Sequence, residues 1–96
     1  MTQIRFEWDS KKARSNEKKH GVSFEEAQSV FFDEQALLLE DPQPRHEEEG
    51  FVLLGLSASL RLLVVVHALR EEDVIRIISA RKATRKETRT YEIRLR

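Results

Sequence analysis

Apolar and polar positions alternate at the start of the chain. In IRFEWD, Ile4, Phe6 and Trp8 share one side, the period of a strand with one buried face. Polar residues then dominate from Ser10 to Lys19, which predicts a helix capped by Asp9 or Ser10, largely solvated, with Ala13 as its main apolar residue. Gly21 fits the left-handed position that ends such a helix. Ser23 with Glu26 has the spacing of a capping box. Phe24, Ala27, Val30 and Phe31 follow at one helical face, which predicts a second helix packed on the core. Short apolar runs come next. Ala36–Asp41, Phe51–Ser57, Arg61–Leu69 and Val74–Ala80 read as strands, separated by the loop DPQPRHEEEG, the tight connection ASL and the turn REED. Thr84 and Glu87 form another capping box. They open a last helix reaching about Leu95, with Thr88, Tyr91 and Leu95 on its inner side. The expected fold is α+β in one domain over residues 1–96: an N-terminal strand and two helices, a mostly antiparallel sheet meander, and a C-terminal helix.

Composition narrows the class. Hydrophobic residues make up 40% of the 96, ordinary for a globular protein. The absence of cysteine excludes disulfides and thiolate metal sites. The N-terminus has no apolar leader core, and no apolar run is long enough to span a bilayer, so a cytoplasmic protein is expected. Formal charge is zero, yet unevenly spread. Residues 1–50 hold 7 Lys+Arg against 12 Asp+Glu, and residues 51–96 hold 10 against 5. Such polarisation fits a basic surface for an anion or nucleic acid, or equally a solvated basic helix.

The candidate chemistry gathers around IRIISARKATRKE (75–87). Arg81, Lys82, Arg85 and Lys86 place cations at a helix start, where the macrodipole is already positive. A bound phosphate would reverse that cost, so the junction reads as an anion site. If the REED turn pairs Leu69 with Val74, then His67 lies opposite Arg76, and Arg61 falls on the same sheet face. An arginine among aliphatics must pair with a carboxylate or meet an external anion, and the two explanations weigh about equally here. Tyr91 stands two turns along the last helix and offers a hydroxyl or a stacking ring. His20 at a helix C-terminus is more often structural than catalytic. His20, His46 and His67 are scattered without ligand spacing, so no metal and no cofactor are expected.

FEWDSKKARSNEKKHGVSFEEAQSVFFD, RLLVVVHALR and IRIISARKATRKETRTYE together resemble the BrnT family of toxins from bacterial type II toxin–antitoxin systems, over Phe6 to Glu92. The resemblance implies a RelE-like fold and a metal-independent endoribonuclease that blocks translation. It also implies neutralisation by a BrnA-type ribbon-helix-helix antitoxin, with two toxins and two antitoxins in the complex and operator DNA reached only through the antitoxin. Metal-free cleavage uses the RNA 2′-hydroxyl as nucleophile. It needs a base, cationic stabilisation of the phosphorane, and an acid for the 5′-oxygen. On that basis His67 is the favoured acid–base group, with an adjacent arginine lowering its pKa, and His20 the second choice; Tyr91 is a further candidate. Arg76 and Arg81 are the favoured phosphate clamps, and Arg61, Lys82 and Arg85 complete the phosphate-binding set. Glu87 is more simply the cap partner of Thr84, and Trp8 more simply core than a base-stacking platform. Two positions depart from the family pattern: Gly50 stands where an arginine is usual, and Leu60 where a glycine is usual. Loss of the arginine weakens cleavage in this reading. Leucine resists positive φ and implies a different turn. The alternative function is therefore a catalytically weakened homologue that binds antitoxin as a co-repressor, or a non-catalytic RNA-binding module.

Overall fold

The computed structural model describes residues 3–40 and 50–95. Nine elements follow one another: β1 (Arg5–Glu7), α1 (Ser10–His20), α2 (Phe24–Ser29), a 3-10 turn (Val30–Phe32), β2 (Leu37–Glu40), β3 (Phe51–Leu56), β4 (Leu62–Leu69), β5 (Val74–Lys82) and α3 (Arg85–Arg94). The strands form one sheet ordered β1-β5-β4-β3-β2. β2 to β5 are the expected antiparallel meander, and β1 lies parallel to β5. The α+β expectation therefore holds. The acidic loop, with Arg45 and His46, falls outside the described residues.

Local signals account for the helix ends. The Asp9 carboxylate accepts from the Lys11 and Lys12 amides, and Gly21 (φ 70°) closes α1. Only half of the expected box opens α2. Ser23 Oγ accepts from the Glu26 amide at 3.0 Å, but the Glu26 carboxylate turns away to Arg61 and Ser57. At α3 the Thr84–Glu87 box is complete.

Each sheet face has its own core. α1 and α2 cover one, burying Val22, Phe24, Ala27 and Val30 against Leu53, Leu63, Val65, Ile77 and Ala80. Trp8 packs edge-on to Phe24 at 5.9 Å in this layer, as core. α3 covers part of the other face, where Tyr91 meets Val52, Leu54, Val64 and Val66. Of the expected inner positions of α3, Tyr91 is buried and Thr88 half-buried, but Leu95 is about half exposed. α3 ends at Arg94, so Leu95 no longer follows the helical stripe. Gly55 lets the 3-10 turn approach β3: a Cβ there would lie 2.9 Å from both Ala36 Cβ and Val30 Cγ1.

The expected register between β4 and β5 is corrected. Leu69 pairs with Ile75 rather than Val74, because Val74 closes the turn by accepting from the Arg70 amide and donating to Glu71 O. Ala68 then faces Arg76 and His67 faces Ile77. A bulge between Val66 and His67 then shifts the register by one more residue, so that Val65 lies opposite Ala80. A one-residue slip exchanges the faces of a strand, so His67 and Arg76 lie on opposite sides of the sheet.

Leu60 holds a second surprise. It adopts φ 62° as the last residue of the loop Ala58–Ser59–Leu60, a glycine-type position occupied by leucine. The turn keeps the left-handed geometry that leucine was expected to avoid, closed by Leu60 N–Ser57 O at 2.9 Å and Ser57 N–Arg61 O at 2.8 Å.

Candidate active site

The sheet divides most of the eight sequence candidates into two groups. On the α1/α2 side lie His67, Lys82 and Arg61. His67 is only 4% exposed, its ring edge-on to Phe31 at 4.8 Å and 6.0 Å from Phe51. Burial pushes its pKa down, and no arginine is involved. Arg61 reaches Glu26 through Nε at 2.9 Å and through Nη2, and also donates to Gly21 O at 3.0 Å. Ser57 Oγ donates to the same carboxylate at 2.7 Å. These bonds tie the start of β4 to both helices. The Arg61 bonds first, then Ser57, hold the Glu26 carboxyl below its ordinary range despite burial. Lys82 pairs in register with Leu63 and is exposed. His20 ends α1, one residue before the Gly21 carbonyl that Arg61 engages.

On the other face lie Arg76, Arg81 and Tyr91. Glu7 sits beside Arg76 in the parallel β1–β5 register. Its Oε2 accepts from Arg76 Nη1 at 3.0 Å, and Arg70 Nε approaches it at 3.8 Å. All three remain partly exposed: 43% for the Glu7 side chain, 50% for Arg70 and 26% for Arg76. Five residues further along β5, roughly 16 Å by strand rise, Arg81 pairs in register with Val64. It forks both oxygens of Glu87 at 2.8 and 2.9 Å. That fork, against burial and with help from the Thr84 amide, drives the Glu87 carboxyl down to about 2. Arg81, of the cations around the start of α3, thus meets an acidic partner in its first turn. Arg85 is the exposed first residue of α3.

Tyr91 is 7% exposed and donates to Asp33 Oδ2 at 2.7 Å. Burial, then that carboxylate, pushes its phenol up to about 12. Burial would raise the Asp33 carboxyl, but bonds from the Leu56 amide, Tyr91 and the Gln35 amide outweigh it and leave it lowered. The hydroxyl anchors α3 to the loop before β2.

A profile described as "Ribonuclease toxin, BrnT, of type II toxin-antitoxin system" matches residues 8–87. The chain belongs to the BrnT toxin family. The crystal structure of the Brucella abortus ribonuclease toxin BrnT superposes with a TM-score of 0.64 at 20% identity, over 88% of this chain and all of that one. That likeness places the fold. A comparison with curated proteins finds no match.

For a BrnT chain the two faces offer different chemistry. The α1/α2 side seals its histidine among aromatics and uses Arg61 as a tie. The opposite side presents arginines that are paired yet partly open to solvent. Among the described residues, no group of three His, Cys, Asp or Glu side chains is placed to hold a metal ion, and no helix is long and apolar enough to cross a membrane.

Two positions that shape the sheet faces escaped the sequence reading. Asn16, buried within the supposedly solvated α1, donates to Ala80 O at 2.8 Å and Val22 O at 3.0 Å and accepts from the Ala80 amide. It thereby completes the β5 edge beyond the end of β1. Its signal was an asparagine three residues after Ala13, on the same helical face. Glu7 escaped because a charged residue in an alternating strand reads as the solvated side.

Proposed function

We propose that this chain is the toxin of a type II pair and cleaves RNA endonucleolytically without a metal, by attack of the RNA 2′-hydroxyl on the adjacent phosphate, so that translation stops. In this reading Arg76 and Arg81 clamp phosphate, with Arg85 adding charge at the α3 start. The supporting observation is the pair of arginines on one face of β5, partly exposed and set beside carboxylates that phosphate must displace or share. His67, Lys82 and Arg61 face the other way, and Tyr91 is committed to Asp33, so none of these four joins that pair. His20 likewise stands at the end of α1 rather than beside Arg76. Neutralisation falls to a BrnA-type ribbon-helix-helix antitoxin in a complex of two toxins and two antitoxins. That antitoxin carries the complex to operator DNA in the cytoplasm.

The test is direct. Purified chain in excess EDTA should cut RNA to fragments ending in 2′,3′-cyclic phosphate, and its expression alone should arrest growth until the antitoxin is supplied. Intact RNA together with tight antitoxin binding would instead favour the weakened, co-repressor reading. Gly50 supports that second reading, as it stands where the family pattern has arginine.

A further inference from the structure

We propose that Glu7 is the general base of this reaction, taking the 2′-hydroxyl proton of an RNA strand whose phosphate is held by Arg76 and Arg70. The proposal rests on the ribonuclease reading above and supplies the proton acceptor that reading lacks.

Three observations converge on Glu7. Its place on β1, parallel to β5, sets its side chain beside that of Arg76 on one sheet face. Its carboxylate touches Arg76 at 3.0 Å and lies 3.8 Å from Arg70, while 43% of the side chain stays open to solvent. Among the described residues, four other carboxylates with side-chain or amide partners serve the fold. Asp9 caps α1, Glu26 ties Arg61 and Ser57, Asp33 gathers Leu56, Gln35 and Tyr91, and Glu87 closes the Thr84 box. His67 is buried on the opposite face.

A guanidinium carries five N–H donors in one plane, so a phosphate oxygen that competes for Arg76 can be bound without displacing Glu7. The carboxylate then sits next to the phosphate, where a ribose 2′-hydroxyl must be deprotonated. In the step, the O2′–H bond breaks and the proton passes to a Glu7 oxygen. O2′ bonds to phosphorus and the P–O5′ bond breaks. The departing 5′-oxygen takes a proton from solvent water, and Glu7 later returns its own to solvent. The products are a 2′,3′-cyclic phosphate and a 5′-hydroxyl, with no oxidant, reductant or metal entering the balance.

The experiment compares wild type with Glu7→Gln, Glu7→Asp and Glu7→Ala on a mixed-sequence RNA oligonucleotide in EDTA. Binding is measured in parallel on the 2′-deoxy form of that oligonucleotide, and thermal melting confirms folding. Glu7→Gln should lower kcat by about 100-fold, the lower end of general-base effects, with KM and 2′-deoxy binding little changed. Glu7→Asp should fall between, and added formate should partly restore Glu7→Ala. Cleavage by Glu7→Gln at or above the wild-type rate would overturn the proposal while leaving the ribonuclease reading intact; the faster rate would mean that Glu7 merely masks the arginines. Joint loss of binding and cleavage, without formate rescue, would make Glu7 a positioning residue and also overturn it. If wild type leaves RNA intact, the reading itself fails and the base assignment with it.

Discussion

Two arginine–carboxylate pairs on opposite faces of the sheet look alike in sequence and differ in use. Arg61–Glu26 lies at the end of the α1/α2 layer, where Glu26 is only 13% exposed and Ser57 and the Gly21 carbonyl take the remaining bonds. Arg76–Glu7 lies on the other face, where the carboxylate is far more open, 43% against 13%, although Arg76 is slightly less exposed than Arg61, and a second arginine lies near the same oxygen. In the first pair both carboxylate oxygens are taken up in joining β4 to two helices. In the second, the carboxylate stays open to solvent. What separates the tie from the proposed binding site is the access left around the carboxylate, since both pairs carry the same charges at hydrogen-bond distance.

Changes on each side break the comparison in different observables. The largest expected effect is on stability, in the helix-covered layer. Asn16→Ala strands the Ala80 amide and two carbonyls in a buried place, and should cost about 3 kcal/mol, read as a lower urea midpoint. On the open face, Arg76→Ala should reduce RNA cleavage by about 100-fold, the effect of removing one donor to a developing oxyanion. Its melting temperature should shift far less than that of Asn16→Ala. Equal stability losses in the two variants would dissolve the distinction between the faces.

Acid should distinguish the faces by window. The folded-state pKa of His67 is depressed by burial, so the unfolded chain binds more protons below the ordinary histidine range. The stability His67 contributes is present above about pH 6.5 and drains away as pH falls below it. His67→Phe should flatten the unfolding free energy as pH falls below roughly 6.5. Glu87 on the other face is also depressed, to about 2. Its contribution is present above the ordinary glutamate range, near pH 4.3, and is lost only toward pH 2, so Glu87→Gln should flatten that lower window alone. A variant that alters both windows would show the two sites to be coupled. The smallest expected effect is a gain: Leu60→Gly relieves the left-handed strain at φ 62° and should stabilise by about 1 kcal/mol, visible as a higher urea midpoint.

Much of the fold was legible in the chain. Alternation in Ile4–Trp8, the Phe24–Ala27–Val30 stripe and the Thr84–Glu87 box each report a local period or cap, and each appears where expected. The site was harder to read because it depends on one residue of register. Taking Val74 as the partner of Leu69 put His67 beside Arg76, whereas the true pairing with Ile75 hides His67 under Phe31 and turns Arg76 toward Glu7. Arg81 and Lys82, adjacent in the chain, point to opposite faces because β5 runs on through both of them.

The amino-acid sequence by itself determined the α+β class, the helix caps and the BrnT family, because propensity, capping and hydrophobic period act over a few neighbouring residues. The tertiary structure alone decided which charges meet. Glu7 and Arg76 are 69 positions apart, and Asn16 and Ala80 are 64. Their pairing follows from β1 closing against the far strand of the meander and from the bulge that resets β4 against β5, and no local period encodes either.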